Sequence, residues 1–365
     1  MRIGGRLASA VLLGLLAVVT LASPASAHAA DAPSATDYRT TLAAVSPAVR
    51  GIRIRVVENG SRLELRSTTR QTVLVLGYSG EPYLRITPAG VWTNVRSPAT
   101  WVNQTIDGKG TRPANTNIDA TATPRWTKLS AEPVIRWHDH RTHWMSATPP
   151  AAVAAAPDVP RRLATWQLGL RVGTAPVSVT GHLDYLPPPA TGVWWGACAL
   201  AALALIGLGM LRRFGPVVLS GALLVAAAAE LVDAAGRALD DGQTGFDLLG
   251  WLLFHRAYGL ATVVGALAAA AVALRRRPSG LFALALAGAC LAAVGGLADV
   301  VVFGHAVAPV AWSGTVARLC TAAGLGLGGG VAIAATLRLR QESTAGAPPR
   351  PTAAAARRAM ETADS

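Results

Sequence analysis

The sequence predicts an extracytoplasmic all-β, sandwich-like domain followed by an α-helical transmembrane bundle of about five spans. Three observations predict it. The apolar residues, 52% of the chain, concentrate at the extreme N-terminus and after about Thr191, the profile of a membrane protein carrying a polar domain. The stretch between alternates apolar and polar residues at the period of strands. Arginine pairs and triplets follow every second apolar stretch, which sets an orientation.

Residues 1–27 have a basic start (Arg2, Arg6), an apolar core and the ending "SPASA", with Ala25 and Ala27 where a signal peptidase needs small residues. They are expected to be a secretory signal, cleaved after Ala27 or Ala30. The first cut would make His28 the mature N-terminus.

The β domain is expected over residues 31–186. "GIRIRVV" (51–57) and "SRLELRS" (61–67) alternate in strand register, and Asn59-Gly60 between them tolerates the positive φ of a tight hairpin turn. "TVLVLGY" (72–78) is a nearly continuous apolar run and suits a strand buried on both faces. "TWQLGLRV" (165–172) and "PVSVTGHLDYL" (176–186) read as a closing pair. A long exposed loop is expected over 107–125, and the Pro/Ala-rich stretch 146–160 as a connection. Sheets must bury one face against another layer, so these strands predict a sandwich.

"PPP" within 187–192 is a stiff spacer to a five-helix transmembrane domain over 193–337. Its apolar stretches are 193–211, 216–235, 248–274, 281–303 and 311–337, each near or above the roughly 20 residues a bilayer requires. Arg212-Arg213, Arg275 to Arg277, and Arg338 with Arg340 follow the first, third and fifth. These loops are expected in the cytoplasm and the β domain outside the plasma membrane. Residues 338–365 are expected to be a disordered cytoplasmic tail.

The net charge is +13, but the arginines form no basic face with aromatic or helical readout elements, so nucleic acid is not an expected partner. The expected surroundings are the lipid bilayer and an envelope protein or polymer. All three cysteines fall in expected spans, so the polar domain has no disulfide framework. There is no Gly-x-Ser-x-Gly, no His-Glu-x-x-His and no phosphate loop, and the chain is not expected to be an enzyme.

The densest chemistry is "WHDHRTHWM" (137–145), which holds three of the seven histidines. On a strand His138 and His140 would share a face; on a turn His140 and His143 would meet. With Met145 these four residues are the candidate metal ligands. Imidazole with soft sulfur favours copper, and imidazole with carboxylate makes zinc the alternative. His182 is a more distant candidate. The competing reading is a polar corner, with Asp139 and Arg141 paired and the tryptophans in the core. In that case the domain would be an interaction module using Tyr83, Trp92 and Trp101. "GYSGEPYLR" (77–85) reads as a turn, with Glu81 in a recognition loop as the other possibility.

A second constellation lies in the spans, where ionisable groups are rare and mark function or face the bundle interior. Glu230, Asp233, His255, Arg256, Asp299, His305 and Arg318 come from four helices and fall at similar depth, on the side of the β domain. They read either as ion pairs joining Glu230 or Asp299 to Arg256 or Arg318, or as a pocket for a cation or proton with His255 and His305 as ligands. The run "GLGLGGG" (324–330) is expected to permit close helix packing.

On "LGYSGEPYLR", "SPAT" (97–100) and "WHDHRTHWM", with the signal peptide and spans, the layout resembles a family of actinobacterial membrane proteins. That resemblance implies an architecture and no established activity. His28 after "SASA", and "VSPA" (45–48), are similar to the start of copper-handling proteins of the CopC/CopD type. There a secreted β-sandwich works beside a membrane partner. The separation of His28 from the Ser-Pro is longer here, and five spans are fewer than that partner has. The similarity implies copper among metals.

Overall fold

The computed structural model describes residues 34–345 except Pro113 and Asn115. The expected signal peptide, His28 and the last part of the tail lie outside the described residues. A β domain over residues 38–185 is followed by a helical region with five helices long and apolar enough to cross a membrane.

The strands are β1 (Tyr38–Ser46), β2 (Ile52–Val57), β3 (Arg62–Ser67), β4 (Val73–Leu76), β5 (Pro82–Thr87), β6 (Gly90–Asn94), β7 (Trp126–Ser130), β8 (Val134–Trp137), β9 (Arg161–Val172) and β10 (Ala175–Tyr185). They form a seven-stranded sheet in the order β1-β10-β9-β4-β5-β6-β7 and a three-stranded sheet in the order β2-β3-β8. Every pairing is antiparallel. The two sheets bury one core between them, with Ile54, Leu63 and Leu65 from the small sheet against Val75, Leu84, Leu168 and Val179 from the large one.

The hairpin expected at Asn59-Gly60 joins β2 to β3, and Glu58, Asn59 and Gly60 all have positive φ. Period two explains the burial: Leu63 and Leu65 are fully enclosed while Arg62 and Arg66 face outward. β9 and β10 are the expected closing pair and run longer than the motifs that announced them. β4 differs from expectation. It lies in the middle of the large sheet, yet only Val73 and Val75 are buried and Leu74 and Leu76 are half-buried. The domain has two layers, so the far face of that sheet has nothing packed fully over it. Two short helices interrupt the strands, α1 (Pro98–Val102) and α2 (Ala151–Ala155).

The helical region holds α3 (Thr191–Gly209), α4 (Gly215–Asp240), α5 (Phe246–His255), α6 (Ala257–Leu274), α7 (Gly280–Phe303) and α8 (Gly314–Thr344). Two expectations are corrected. The third apolar stretch is not one helix: Arg256, at φ −124 and ψ 26, separates α5 from α6. The break lets its guanidinium turn into the bundle toward acidic side chains. The fifth span continues to Thr344, so residues 338–344 of the expected disordered tail are helical. Arg338 donates to the carbonyls of Gly209 and Leu211 at 2.8 and 2.9 Å, and Thr344 Oγ1 donates back to Arg340 O. The glycine run does permit close packing, since a Cβ at Gly324 would lie 2.6 Å from Gly295 O of α7.

The β domain is seated on one end of the bundle. Thr36 and Val307 exchange two backbone hydrogen bonds. Asn59 N donates to Asp240 Oδ2 at 2.9 Å, Arg136 pairs with Asp241, and His305 Nδ1 lies 3.1 Å from Asp37 Oδ2.

Candidate functional site

The segment 137–145 leaves β8 and becomes a turn, because Thr142 N and Oγ1 both donate to Asp139 O. Asp139 is wholly buried. Its carboxylate accepts from Arg141 Nε and Nη2, both at 2.7 Å, from Arg141 N at 3.2 Å and from Trp137 Nε1 at 3.2 Å. Arg141 lies over the Tyr78 ring at 5.0 Å and donates to Leu76 O. Tyr78 Oη in turn meets Asn103 and accepts from His140 N at 3.2 Å. Glu81 is turned inward, accepting from Ser97 Oγ at 2.6 Å and Ser79 N at 2.9 Å. The three sequence motifs therefore meet in one buried polar hub, and the Asp139–Arg141 pair expected of a polar corner is its centre.

The hub fixes the histidines. His140 Nε2 donates to Thr105 O at 2.9 Å, and His143 Nε2 donates to Ile106 O at 3.1 Å. A carbonyl can only accept, so in the neutral form of each ring the proton sits on Nε2 and the Nδ1 lone pair is open. Both Nδ1 atoms are buried and have no hydrogen-bond partner among the described residues. The two rings are perpendicular, with centroids 5.1 Å apart. Burial, the largest influence, pushes the His143 imidazole down to about 4, so it is neutral at neutral pH. A Cβ at Gly108 would lie 3.3 Å from His140 Nδ1 and 3.9 Å from Met145 Sδ, so the thioether approaches the same corner. Met145 is 47% exposed. His143 also lines a cavity of about 200 Å³ with Tyr38, Glu58, Ile106 and Trp144.

His138 behaves differently. Its Nδ1 is 2.8 Å from Ser61 O and its Nε2 accepts from Arg62 Nε at 3.1 Å. Both ring nitrogens are engaged, although its centroid is 6.2 Å from that of His143. His182 faces Thr165 on β9 instead of this corner. Among the described residues no group of three or more His, Cys, Asp or Glu is arranged to hold a metal ion. The His140 and His143 rings lie against each other, and the Met145 thioether lies on the His140 side of the pair, beside Gly108.

In the helical region, Glu230, Asp233, Arg256 and Asp299 come together. Arg256 Nη2 lies 3.3 Å from Glu230 Oε1, 3.3 Å from Asp233 Oδ2 and 3.4 Å from Asp299 Oδ2. Arg237, which is not among the residues expected from the sequence, completes the network at 2.7 Å from Asp233 and 2.8 Å from Asp299. It lies one helical turn from Asp233, an i,i+4 spacing that could have revealed it. The other three expected members lie elsewhere. His255 is exposed and stacks on Trp251 at 4.9 Å. His305 bonds Asp37. Arg318 donates to the carbonyls of Val302, His305 and Ala306, closing the open end of α7.

Of the aromatic residues expected on an interaction surface, Tyr83 is in the core and Trp101 donates to Val95 O. Trp92 does join an outward ladder on β5, β6 and β7. Arg85 lies between Trp92 at 4.9 Å and Trp126 at 4.7 Å, and Lys128 covers Trp92 at 5.4 Å.

Fold and sites together describe a β domain seated on a bundle of membrane-spanning length. The chain matches no family model, no curated protein and no solved structure.

Proposed function

We propose that this is a membrane-anchored, extracytoplasmic, non-enzymatic copper-binding protein. His140 and His143, each through Nδ1, and Met145 through Sδ would hold Cu(I). The observation that carries this reading is the pair of buried Nδ1 lone pairs without partners among the described residues, each opposite an Nε2 fixed by a backbone carbonyl. Metal-ligating histidines are commonly oriented in this way. Two imidazoles with a thioether suit Cu(I). Zinc is the weaker alternative, because the carboxylate of the same turn, Asp139, is committed to Arg141. His138 holds the turn and is not a ligand.

The arginine loops support placing the β domain outside the plasma membrane and the C-terminus in the cytoplasm. The expected signal peptide and the likeness to CopC/CopD-type proteins belong to the same reading. A second reading, a module that binds an envelope protein or polymer, is favoured by the Arg85, Trp92, Trp126 and Lys128 ladder. Such basic aromatic surfaces suit anionic partners.

Competition titration of the purified full-length protein with Cu(I) tests the first reading. The wild type is expected to bind at micromolar concentration or tighter. The His140→Ala, His143→Ala double variant should lose about 100-fold or more, while His138→Ala should keep the affinity and lose stability. Equal affinity in wild type and double variant would overturn the proposal and leave the second reading.

A further inference from the structure

We propose that Glu230, Asp233 and Asp299 form a buried site for one exchangeable monovalent cation, either a proton or an alkali-metal ion, loaded from the cavity between the β domain and the helices. The first ground is charge. Three carboxylates face two guanidinium groups, those of Arg237 and Arg256. Arg237 pairs with Asp233 through Nε and with Asp299 through Nη2. Arg256 Nη2 carries only two hydrogens, yet three carboxylate oxygens surround it at 3.3 to 3.4 Å. It is shared among them and satisfies none closely.

Two oxygens are left over. Glu230 Oε2 and Asp233 Oδ1 are buried and have no donor among the described residues. Their residues are 3% and 4% exposed. A buried charge left unpaired is strongly unfavourable, and in a bilayer such groups mark function. The network is short of one positive charge, and these two oxygens are where that charge is missing.

The backbone has been shaped around Glu230. A Cβ at Gly259 of α6 would lie 2.2 Å from Oε1, and one at Gly295 of α7 would lie 2.4 Å from Oε2. Gly295 falls in a π-helical turn, Ala292–Gly296. Such turns are frequent at functional sites. The charged and titratable groups around the site are Asp233 and Arg237 on α4, Arg256 at the α5–α6 break, Asp299 on α7 and Cys320 on α8.

A cavity lies beside the site. Arg237 and Arg256 also line this cavity of about 620 Å³, whose other walls include Glu58, Asp240, Asp241, Arg62, Arg136 and His255, with Glu58 and Asp241 paired to Arg62 and Arg136. Away from this end the helices pack through Leu219, Leu223, Leu284 and Val331. The proposed site is a loading point beside that cavity.

The test uses the full-length protein in lipid nanodiscs, wild type beside Glu230→Gln. Infrared difference spectra across pH read the proton. The expected result is a protonated-carboxyl band at neutral pH that disappears on alkalinisation and is absent from Glu230→Gln. Thermal unfolding with sodium or potassium in place of N-methylglucamine, at constant ionic strength, reads the alkali ion. In that case the wild-type transition should rise and that of Glu230→Gln should not. Either response supports the site and names its cation. Absence of both from the wild type would overturn the proposal whether or not the variant folds. So would either signal persisting undiminished in Glu230→Gln.

Discussion

Replacing Asp139 with Ala should destabilise the β domain by about 3 kcal/mol. The side chain is wholly buried and accepts two hydrogen bonds at 2.7 Å from Arg141 and one at 3.2 Å from Trp137. Each bond to a charged group contributes about 1.5–3 kcal/mol, and the substitution would strand a guanidinium. The loss is moderated because the Arg141 side chain is 22% exposed and can recruit water. It also keeps its place over Tyr78 and its bond to Leu76 O. For a domain of this size that corresponds to a fall in Tm of about 6–12 °C. The assay is thermal unfolding of the detergent-purified chain followed by tryptophan fluorescence, to which Trp137 contributes directly. Asp139→Asn preserves shape and some hydrogen bonding and should lose less. A loss below about 1 kcal/mol for Asp139→Ala would refute the reasoning, because it would mean Arg141 is not held by this carboxylate.

Other perturbations reach other parts of the structure. The hydrogen bond that His305 donates to Asp37 raises the imidazole above its ordinary value. This contact should therefore be fully formed below about pH 6.5 and lost as pH rises through the raised value. Limited proteolysis between the β domain and the helices should quicken over that interval in the wild type and show no such pH step in His305→Gln. Leu65→Ala, at a fully enclosed position in the sandwich core, should lower stability by about 3 kcal/mol in the same thermal assay.

The strands were legible where one face alone was buried. Alternation in "GIRIRVV" and "SRLELRS" follows directly from Ile54, Leu63 and Leu65 facing the core, and Asn59-Gly60 announces its own turn. β7 was not legible, because Thr127, Lys128 and Leu129 are all exposed and carry no period. The break at Arg256 was hidden for a different reason. An apolar run reports length, but the pull of three acids from other helices is a tertiary effect. The histidine cluster was legible as a cluster and not as a ligand set. Which ring nitrogens stay open depends on Ser61, Arg62, Thr105 and Ile106, which are remote in sequence. Likewise His255 and His305 looked equivalent to Glu230 in depth, and only packing separates a histidine stacked on Trp251 from one bonded to the β domain.

The most direct measurement of the central claim is X-ray absorption at the copper edge of the full-length protein loaded with one equivalent of Cu(I). Coordination by imidazole nitrogen together with one sulfur, the sulfur contribution vanishing in Met145→Leu and the nitrogen contribution falling in His140→Ala, is the predicted result. A shell without sulfur in the wild type, or a spectrum unchanged by either substitution, would contradict it.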